Sequence, residues 1–351
     1  MSEDKDILIE VGKIMEPYPV YAVGGCVRDH IRGKKPKDYD FATPATPDQI
    51  EELVRKAGRK PFLVGKRFGT IGCKVLVNEV WHEVEITTFR SESYEEGNRK
   101  PNVEFVSDIV ADLSRRDFTI NAMALRVVKN RLKLIDPFGG EEDIKNGILK
   151  CVGFPKQRFK EDPLRILRAI RFATKYNMQI EAKTSEKLAH CVPRLLDISK
   201  ERWMLELDQI LLLPLVARGL MYLWDYKVFN WLIPELSLQK DFDQNNPNHS
   251  FPLHVHTSLV VEKTPEDINM RWAALLHDIA KPFTQTYKVD TNGTNRCNYI
   301  SHEILGGEMA KRIALHLKWS NERTDTVTEL VRNHMNEDSP LREYDNASKT
   351  Y

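Results

Sequence analysis

The order of residues between positions 20 and 43, VYAVGGCVRDHIRGKKPKDYDFAT, is the feature that most constrains how this chain can fold. An apolar, β-like run ends at the glycine pair Gly24 and Gly25, and a short basic, helix-like run follows. A strand-to-helix turn of this kind presents free backbone N–H groups that can bind a phosphate. Glycine pairs after strands are more often ordinary turns, so the pair alone is weak support for a phosphate site.

The two aspartates at the end of this stretch, Asp38 and Asp40, are two positions apart. In an extended strand both carboxylates would point to one side and could share a cation, while Tyr39 would face away. An exposed acidic strand is the alternative interpretation. In WHEVEITTF the same alternation places Glu83 and Glu85 on one face of another strand, and either could complete a three-carboxylate site for two Mg²⁺ ions.

The length and composition indicate a multidomain protein outside the membrane. The chain has 351 residues, more than one domain usually contains. It has no apolar run close to the roughly 20 residues that span a bilayer, and its acidic start lacks the pattern of a secretory signal. We therefore expect a cytoplasmic protein. The five cysteines are scattered without metal-ligand spacing, which predicts reduced thiols.

The patterns along the chain predict three units. Residues 1–140 mix short β-like runs with helical stretches and predict an α+β unit. In residues 141–238 apolar residues recur at helical spacing, which predicts an all-α neck and body with a basic surface. A polar segment rich in Asn, Asp and Pro follows, and a third helical unit is predicted over 249–340.

Five motifs in order carry a resemblance to a known family. The stretch quoted above is followed by EITTFR, DLSRRDFTINAMAL, DPFGG and EDPLRILRAIRFA. This series resembles the class II, bacterial-type tRNA nucleotidyltransferases (the CCA-adding enzymes) and the related bacterial poly(A) polymerases. The resemblance implies a polymerase-β-like nucleotidyltransferase head with a mixed sheet and helices, followed by the all-α neck and body. In the family the DPFGG region, Asp136 to Gly140, is a hinge, and a plain turn is the alternative.

The resemblance also implies roles for individual residues. Asp38 and Asp40 would be the catalytic carboxylates that bind Mg²⁺, and Glu85 would support them, with Glu83 a structural neighbour. Arg116 could equally belong to the scaffold. The residues expected to bind the incoming nucleotide through its phosphates or sugar are Gly24, Gly25, Arg28, Arg115, Asp117 and Asn121.

The EDPLR motif is expected to select the base. If Asp162 and Arg165 lie on one helix, their spacing places an acceptor and a donor on one face, which can match the edges of cytosine and adenine. An ordinary intrahelical ion pair is the alternative. Arg168 joins the nucleotide-binding set and, with Arg171 and Lys175, is expected to face tRNA, unless these residues form only a solvated helix face. The segment from 91 to 100 matches the position of the loop that family members use to switch from C to A.

The third unit resembles an HD domain, a helical metal-dependent phosphohydrolase fold. The residues that carry the resemblance, and that we expect to bind a second divalent metal (Mn, Ni, Zn or Mg), are His256, His277, Asp278, His302 and His334. His249 and His254 are interpreted as structural. HD domains generally end with a further Asp ligand, for which the polar tail offers Asp338 and Asp345. The unit could instead be a platform for tRNA binding or for homodimer formation.

These expectations combine into one functional hypothesis. The protein adds CCA, or part of it, to the 3′ end of tRNA from CTP and ATP with Mg²⁺, releases pyrophosphate, and has no membrane partner. A bacterial-type poly(A) polymerase is the nearest alternative, because LVGKRFGTI is reminiscent of that branch. An HD phosphohydrolase that keeps the first unit as an RNA-binding module is the alternative from another class.

Overall fold

The structure is a computed structural model that describes residues 2–93, 102–245, 251–289 and 295–347. It divides into two compact units, the first comprising Met1–Asp162 with Gln179–Thr184 and the second Pro163–Met178 with Ser185–Tyr351. The two-residue strands β9 (Ile148–Leu149) and β10 (Gln179–Ile180) pair in parallel within the first unit, so the segment predicted to be all-helical contains a small strand pair. The strands are β1 (Tyr21–Val23), β2 (Tyr39–Thr43), β3 (Thr70–Val77), β4 (Val80–Thr88), β5 (Arg90–Ser93), β6 (Asn102–Phe105), β7 (Ala124–Val128), β8 (Arg131–Ile135), β9 (Ile148–Leu149), β10 (Gln179–Ile180), β11 (Gln285–Val289) and β12 (Asn295–Tyr299).

The helices alternate with strands in the first half of the chain and dominate the second half. Short 3₁₀ turns cover Lys66–Phe68, Thr119–Asn121 and Val192–Asp197. The α-helices are α1 (Ser2–Ile14), α2 (Gly25–Ile31), α3 (Pro47–Lys56), α4 (Ile109–Ser114), α5 (Gly140–Lys145), α6 (Pro155–Glu161), α7 (Leu164–Lys175), α8 (Ala182–Cys191), α9 (Lys200–Leu211), α10 (Val216–Asp225), α11 (Phe229–Leu232), α12 (Pro234–Ser237), α13 (Leu253–Lys263), α14 (Ile268–Leu276), α15 (Lys281–Thr284), α16 (His302–His316), α17 (Asn321–Arg332) and α18 (Pro340–Ala347).

A mixed sheet is the centre of the first unit. Within the described part of the chain it has six strands in the order β3-β4-β2-β1-β7-β8. The β2–β4 pair is parallel, and the remaining neighbours are antiparallel. One face of the sheet packs into an apolar core that includes Ile7, Val27, Phe41, Ile50 and Ile86. The predicted α+β fold of this unit is confirmed.

The sequence of α3 illustrates how local signals fix a helix behind the sheet. The Thr46 side chain accepts a hydrogen bond from the Gln49 N–H, and the Gln49 side chain accepts one from the Thr46 N–H. The two bonds together form a capping box. Pro47 occupies the first helical position, where a missing N–H costs nothing. Ile50 and Val54, four positions apart, are fully buried and therefore fix the face that packs inward.

Among its described residues the second unit is helical except for one hairpin. Strands β11 and β12 pair antiparallel from Gln285↔Tyr299 to Val289↔Asn295 within the predicted third unit, whose helical class is otherwise confirmed. The Thr, Tyr and Val residues of these segments favour extended backbone, and residues 290–294 between them lie outside the described part. None of the helices among the described residues has the length and apolar character needed to cross a membrane.

A polar network explains why the predicted second and third units form one compact body. The guanidinium of Arg323 donates two hydrogen bonds to Asp208, at 3.0 and 2.8 Å, and the Trp272 indole N–H donates to the same carboxylate at 2.7 Å. Arg323 also stacks over the Trp319 ring at 4.3 Å. Helices α9, α14 and α17 are therefore joined by charge-assisted bonds as well as by apolar packing.

Candidate active site and a second candidate metal centre

The sheet register brings the predicted head carboxylates to one cleft. Asp40 of β2 and Glu85 of β4 are paired in register, so their side chains share a face of the sheet. Asp38, immediately before β2, lines the same cleft of about 540 Å³ as Asp40, Glu83 and Glu85. Tyr39 is buried on the opposite side, where its hydroxyl donates to Asp4 at 2.8 Å. The predicted alternation is therefore confirmed.

The carboxylates repel one another, and the pKa of Asp40 reflects this repulsion. Partial burial raises the pKa of Asp40, the charge of Glu85 raises it further, and Asp38 adds a smaller increment in the same direction. The nearby Arg116 guanidinium partly offsets these effects. Hard carboxylate oxygens in this number and charge suit Mg²⁺, so the residues fit the predicted cation.

The glycine turn beside the cleft is required by its geometry. Gly24 follows β1 with φ +73°, a conformation that side chains rarely adopt. A Cβ atom at Gly24 would lie 3.0 Å from Nη1 of Arg116 and 3.9 Å from Oδ2 of Asp40. Gly25 begins α2, and a Cβ there would lie 3.4 Å from Nη2 of Arg28. The turn therefore holds a cationic side chain next to the carboxylates.

Three of the residues predicted to bind the nucleotide, Arg28, Asp117 and Asn121, form a connected set in the first unit. Arg28 donates from Nη1 to the side-chain oxygen Oδ1 of Asn121 at 2.6 Å. The Asn121 amide donates to Asp117 at 3.1 Å, and Asp117 also accepts from the Phe118 N–H. All three predicted side chains are buried, so their orientation is fixed by these bonds.

Asp112 organises the two neighbouring arginines and was missed in the sequence. Its Oδ1 accepts from Nη2 of Arg115 at 2.8 Å, and its Oδ2 accepts from Nη2 of Arg116 at 3.2 Å. Burial opposes ionisation of this carboxyl, but the charges of Arg116 and Arg115 lower its pKa. Of the two arginines, Arg116 is the one placed beside Gly24 and Asp40, although the resemblance had favoured Arg115. The i+3 and i+4 spacing to Asp112 was the available signal.

Two other sequence motifs adopt conformations that correct or explain the predictions. Helix α6 ends at Glu161, Asp162 is extended (φ −141°, ψ 100°), and α7 begins at Leu164. Asp162 and Arg165 therefore do not share one helix as predicted, because the proline at 163 disfavours helical backbone in the residue before it. In DPFGG, Asp136 accepts from the N–H groups that begin α5, at 2.8 and 2.9 Å.

The basic residues of α7 have partners within the second unit. Arg171 donates from Nε to Oε2 of Glu206 at 2.6 Å, and Arg168 lies 3.9 Å from the other oxygen of that carboxylate. Both guanidinium groups also lie over the Phe172 ring, at 5.2 Å for Arg168 and 4.5 Å for Arg171. Lys175 lies over the ring of Tyr176. The partly exposed Arg168 remains the most accessible cation of the Arg168 and Arg171 pair.

A second cluster of metal-ligating side chains lies buried in the second unit. Two groups, each with ligand atoms within 4.8 Å of one another, share Asp278. We call the combined set the HD cluster; its members are His256, His277, Asp278, His302, His334 and Asp345. Five of them were predicted. Asp345 was one of two tail candidates and lies on α18, beyond position 340, whereas Asp338 is exposed.

The histidines of the HD cluster are oriented as metal ligands usually are. In His277, His302 and His334 the Nδ1 atom lies 2.7 Å from the backbone carbonyl oxygen three residues earlier. A carbonyl oxygen only accepts, so Nδ1 carries the hydrogen, and in the neutral ring Nε2 presents a lone pair. Those Nε2 atoms lie 3.1, 3.3 and 3.8 Å, respectively, from the Asp278 carboxylate.

The buried ligand atoms of the HD cluster fit a bound cation. Nε2 of His277 makes no hydrogen bond among the described residues although it is buried; it lies 3.1 Å from Oδ2 of Asp278, which Nζ of Lys281 also approaches to 2.6 Å. Burial alone would lower the pKa of His277, but Asp278 and Asp345 raise it to about 9. Burial and the charge of His277 lower the pKa of His334 to about 4. Two carboxylates among four imidazoles suit a transition-metal ion.

The remaining histidine predictions are simpler. His254 accepts a hydrogen bond from the Asp241 N–H at 3.1 Å and packs edge-on against Trp224 at 5.6 Å. These contacts agree with the structural role inferred from the sequence. His249 and residues 94–100 of the predicted C-to-A switching loop lie outside the described part of the chain.

The mixed sheet, the glycine turn and the paired carboxylates place the head in the poly(A) polymerase class. The model of the poly(A) polymerase head domain matches residues 20–150, the model described as a probable RNA and SrmB-binding site of polymerase A matches 177–240, and the HD domain model matches 254–349. The chain belongs to the family of poly(A) polymerases and bacterial-type tRNA nucleotidyltransferases, and the resemblance inferred from the motifs is confirmed.

Relatives that are named CCA-adding enzymes are 34–39% identical to this chain over the segments that align. The protein from Staphylococcus epidermidis is 34% identical over 72% of this chain and 60% of its own length. The protein from Streptococcus suis is 39% identical over 64% of this chain and 53% of its own length. The chain thus spans a little over half the length of these relatives.

Solved structures agree on the fold. A tRNA nucleotidyltransferase complexed with a primer tRNA and an incoming ATP analogue is 27% identical, covers 78% of this chain and 74% of its own, and has a TM-score of 0.56. The Bacillus stearothermophilus CCA-adding enzyme with CTP covers 99% of this chain and 81% of its own, with a TM-score of 0.62 at 24% identity.

Proposed function

We propose that this protein is a template-independent tRNA nucleotidyltransferase that adds C and A to the 3′ end of tRNA from CTP and ATP. The observation that carries the proposal is the register of Asp40 with Glu85 at a cleft that also contains Asp38 and adjoins the Gly24 turn. The CCA-adding relatives and the solved complex with primer tRNA support the choice of substrates. tRNA processing also fits the cytoplasmic location expected from the sequence.

The proposed reaction is a single phosphoryl transfer. The terminal 3′ hydroxyl oxygen of the RNA attacks the α-phosphorus of the nucleotide, and a new oxygen–phosphorus bond forms. The bond from the α-phosphorus to the bridging oxygen breaks, pyrophosphate leaves with that electron pair, and the hydroxyl proton passes to a carboxylate of the cleft. Asp38, Asp40 and Glu85 would hold Mg²⁺, which when bound lowers the pKa of the hydroxyl and neutralises charge on the leaving group.

The cationic residues of the head would position the triphosphate. Arg116 lies beside the carboxylates, and Arg28 is fixed by Asn121, so both can face phosphate oxygens without a large ordering cost. Asp162 and Arg165 remain the proposed readers of the base, with an acceptor and a donor that match cytosine and adenine. The extended backbone at Asp162 changes how the pair is presented, but not its hydrogen-bonding capacity.

The direct test uses a tRNA transcript that lacks its 3′-terminal residues. Purified protein is incubated with CTP alone, ATP alone or both, and the products are resolved to single nucleotides. We expect limited addition of C, followed by A only after C. A ladder of A on unrelated RNA would instead identify a poly(A) polymerase, and no addition in any mixture would refute the proposal.

The HD cluster supports a second candidate activity, metal-dependent phosphate ester hydrolysis. The specific observation is the convergence of four imidazoles and the Asp345 carboxylate on the shared Asp278. The test is hydrolysis of bis-p-nitrophenyl phosphate with added Mn²⁺, Ni²⁺, Zn²⁺ or Mg²⁺, comparing wild type with Asp278→Asn and Asp40→Asn. We expect loss only in Asp278→Asn, whereas equal loss in both variants, or no hydrolysis with any metal, would refute this activity.

A further inference from the structure

One wall of the carboxylate cleft is apolar and exposed, and the proposed chemistry leaves it unused. Phe62, Val64 and Phe68 line the cleft together with the carboxylates. Their exposed fractions are 37%, 94% and 57%, respectively. Exposed apolar groups beside a polar reaction centre generally mark a surface that a ligand covers.

The sheet register places Phe62 in line with the carboxylates. Phe62 forms a bridge with Gly72, with reciprocal backbone hydrogen bonds of 2.7 and 3.0 Å. Gly72 is in turn paired with Glu85, and Glu85 with Asp40. Residues paired in this way share one face of a sheet, at about 4.8 Å per strand. The Phe62 ring therefore lies on the carboxylate face, two strand spacings from Glu85.

Gly72 allows the Phe62 side chain to lie close against the sheet. A Cβ atom at this position would lie 3.1 Å from Cδ2 of Phe62, closer than most real contacts. The ring of Phe62 thus fills the space above the bare backbone of β3. A flat ligand that stacks on the exposed part of this ring would lie next to the reaction centre.

The second ring, Phe68, is held in a supported turn. Its carbonyl oxygen accepts a hydrogen bond from Nη1 of Arg90 at 2.6 Å, and the guanidinium of Arg67 lies 4.5 Å from its ring centre. Lys66, at the start of the turn, is paired with Asp48 and Glu51 at 2.7 and 2.6 Å. An aromatic face with an adjacent cation is the combination that binds single-stranded nucleic acid.

The position of the apolar wall relative to the carboxylates indicates which substrate it contacts. The strand order β3-β4-β2-β1 places Phe62 and Gly72 on one side of the carboxylates and the Gly24 turn with Arg116 on the other. In an in-line displacement the attacking oxygen and the leaving group lie on opposite sides of the phosphorus. If the triphosphate occupies the Gly24 side, the attacking hydroxyl approaches from the β3 side.

We propose that Phe62 and Phe68 stack on the terminal nucleosides of the RNA 3′ end and hold its hydroxyl at the carboxylates. The proposal rests on the proposed nucleotidyltransferase function and assigns its RNA-end subsite. Stacking tolerates any base, which suits an acceptor whose last nucleotide changes after each addition. Arg67 would face a phosphate of the same strand.

The kinetic test is Phe68→Leu, compared with Phe68→Trp. We expect Phe68→Leu to raise the KM for the RNA about 5- to 100-fold, because a stacked base is lost, and Phe68→Trp to restore it within about threefold. The KM for CTP and ATP should change less than about twofold. Phe283→Leu, a substitution at a phenylalanine that is 52% exposed in the second unit, is the matched control and should behave as wild type.

A binding test separates this inference from the function on which it rests. RNA with 2-aminopurine at its 3′ end is titrated with protein in EDTA, where no chemistry occurs. We expect fluorescence quenching by wild type and by Phe68→Trp but not by Phe68→Leu, and no quenching when the probe is five nucleotides from the end. If wild-type protein quenches the fluorescence but adds no nucleotide, the proposed function is refuted while the RNA-end subsite is supported.

Two results would overturn the subsite. One is an unchanged KM for RNA and unchanged quenching in Phe68→Leu and Phe62→Leu, with nucleotide addition intact. The other is a rise confined to the KM for CTP and ATP, which would assign the wall to the base of the incoming nucleotide.

Discussion

The carboxylate cleft of the head and the HD cluster of the second unit are two different solutions to holding a cation. The head carboxylates are at least partly exposed and offer only oxygen ligands. Among the described residues, their oxygen atoms do not converge within 4.8 Å as those of a preformed metal site do. The HD cluster is buried and already converged, and backbone carbonyls orient three of its four imidazoles. From this difference we expect that metal and triphosphate complete the head site together, whereas a metal in the HD cluster would stay bound without substrate.

The largest expected effect concerns the head. Asp40→Asn should lower kcat for nucleotide addition about 10³-fold, because it removes a charged ligand at the reacting phosphate. Hydrolysis of bis-p-nitrophenyl phosphate by the HD cluster should not change. Single-turnover addition to the shortened tRNA measures the effect. Glu83→Gln is the control, since Glu83 is exposed and pairs with Lys74 at 3.4 Å. An equally inactive Glu83 variant would contradict the roles assigned in the cleft.

The next effect concerns metal retention. Wild type passed through a desalting column without added metal should keep metal in the HD cluster, and stripping it with a chelator should lower Tm by about 5–15 °C, because a ligand that binds only the folded state is lost. Asp345→Asn should lose the metal in the same experiment, measured by elemental analysis. The exposed Asp338→Asn should keep it. If wild type left the column without metal, the HD cluster would not retain its cation more firmly than the head does, and the proposed difference between the two sites would be wrong.

A smaller effect concerns the support of the head arginines. Asp112→Asn should destabilise the protein by about 3 kcal/mol at pH 7, because it leaves two guanidinium groups without their buried counter-charge. The pKa of Asp112 is lowered by folding, so its contribution is complete above the unfolded value of about 3.9 and is lost as the pH falls through the folded value. Urea unfolding should show that the difference in the free energy of unfolding between wild type and variant is smaller at pH 3.5 than at pH 7. An equal difference at both pH values would contradict the ion-pair explanation.

The sequence predicted what depends on local periodicity. Strict alternation assigned Asp38 and Asp40 to one face of a strand and Glu83 and Glu85 to one face of another, and the parallel β2–β4 pairing brings Asp40 and Glu85 together. His277 and Asp278 were found because an HD pair follows an apolar helix. These signals are short-range, and burial on one face of an element enforces them.

The predictions that were wrong or absent concern features that sequence periodicity does not encode. Asp162 was placed on a helix because its spacing to Arg165 fits one, but the proline at 163 divides that stretch. Asp345 is buried because α18 packs against the rest of the second unit. Asp112 binds both Arg115 and Arg116, which are adjacent in the motif and cannot be distinguished from the sequence. Such partners are chosen by tertiary packing, which a single sequence shows only as isolated polar residues.

The start of α5 has a consequence for how variants of the head should be interpreted. A Cβ atom at Gly140 would lie 2.3 Å from the carbonyl oxygen of Thr119, and the Thr119 hydroxyl is bonded to Asp143 at 2.6 Å. Any side chain at Gly140 must push the turn that carries Asn121. A geneticist screening for weakened nucleotide affinity would therefore recover changes at Gly140, a buried glycine outside the residues assigned to nucleotide binding.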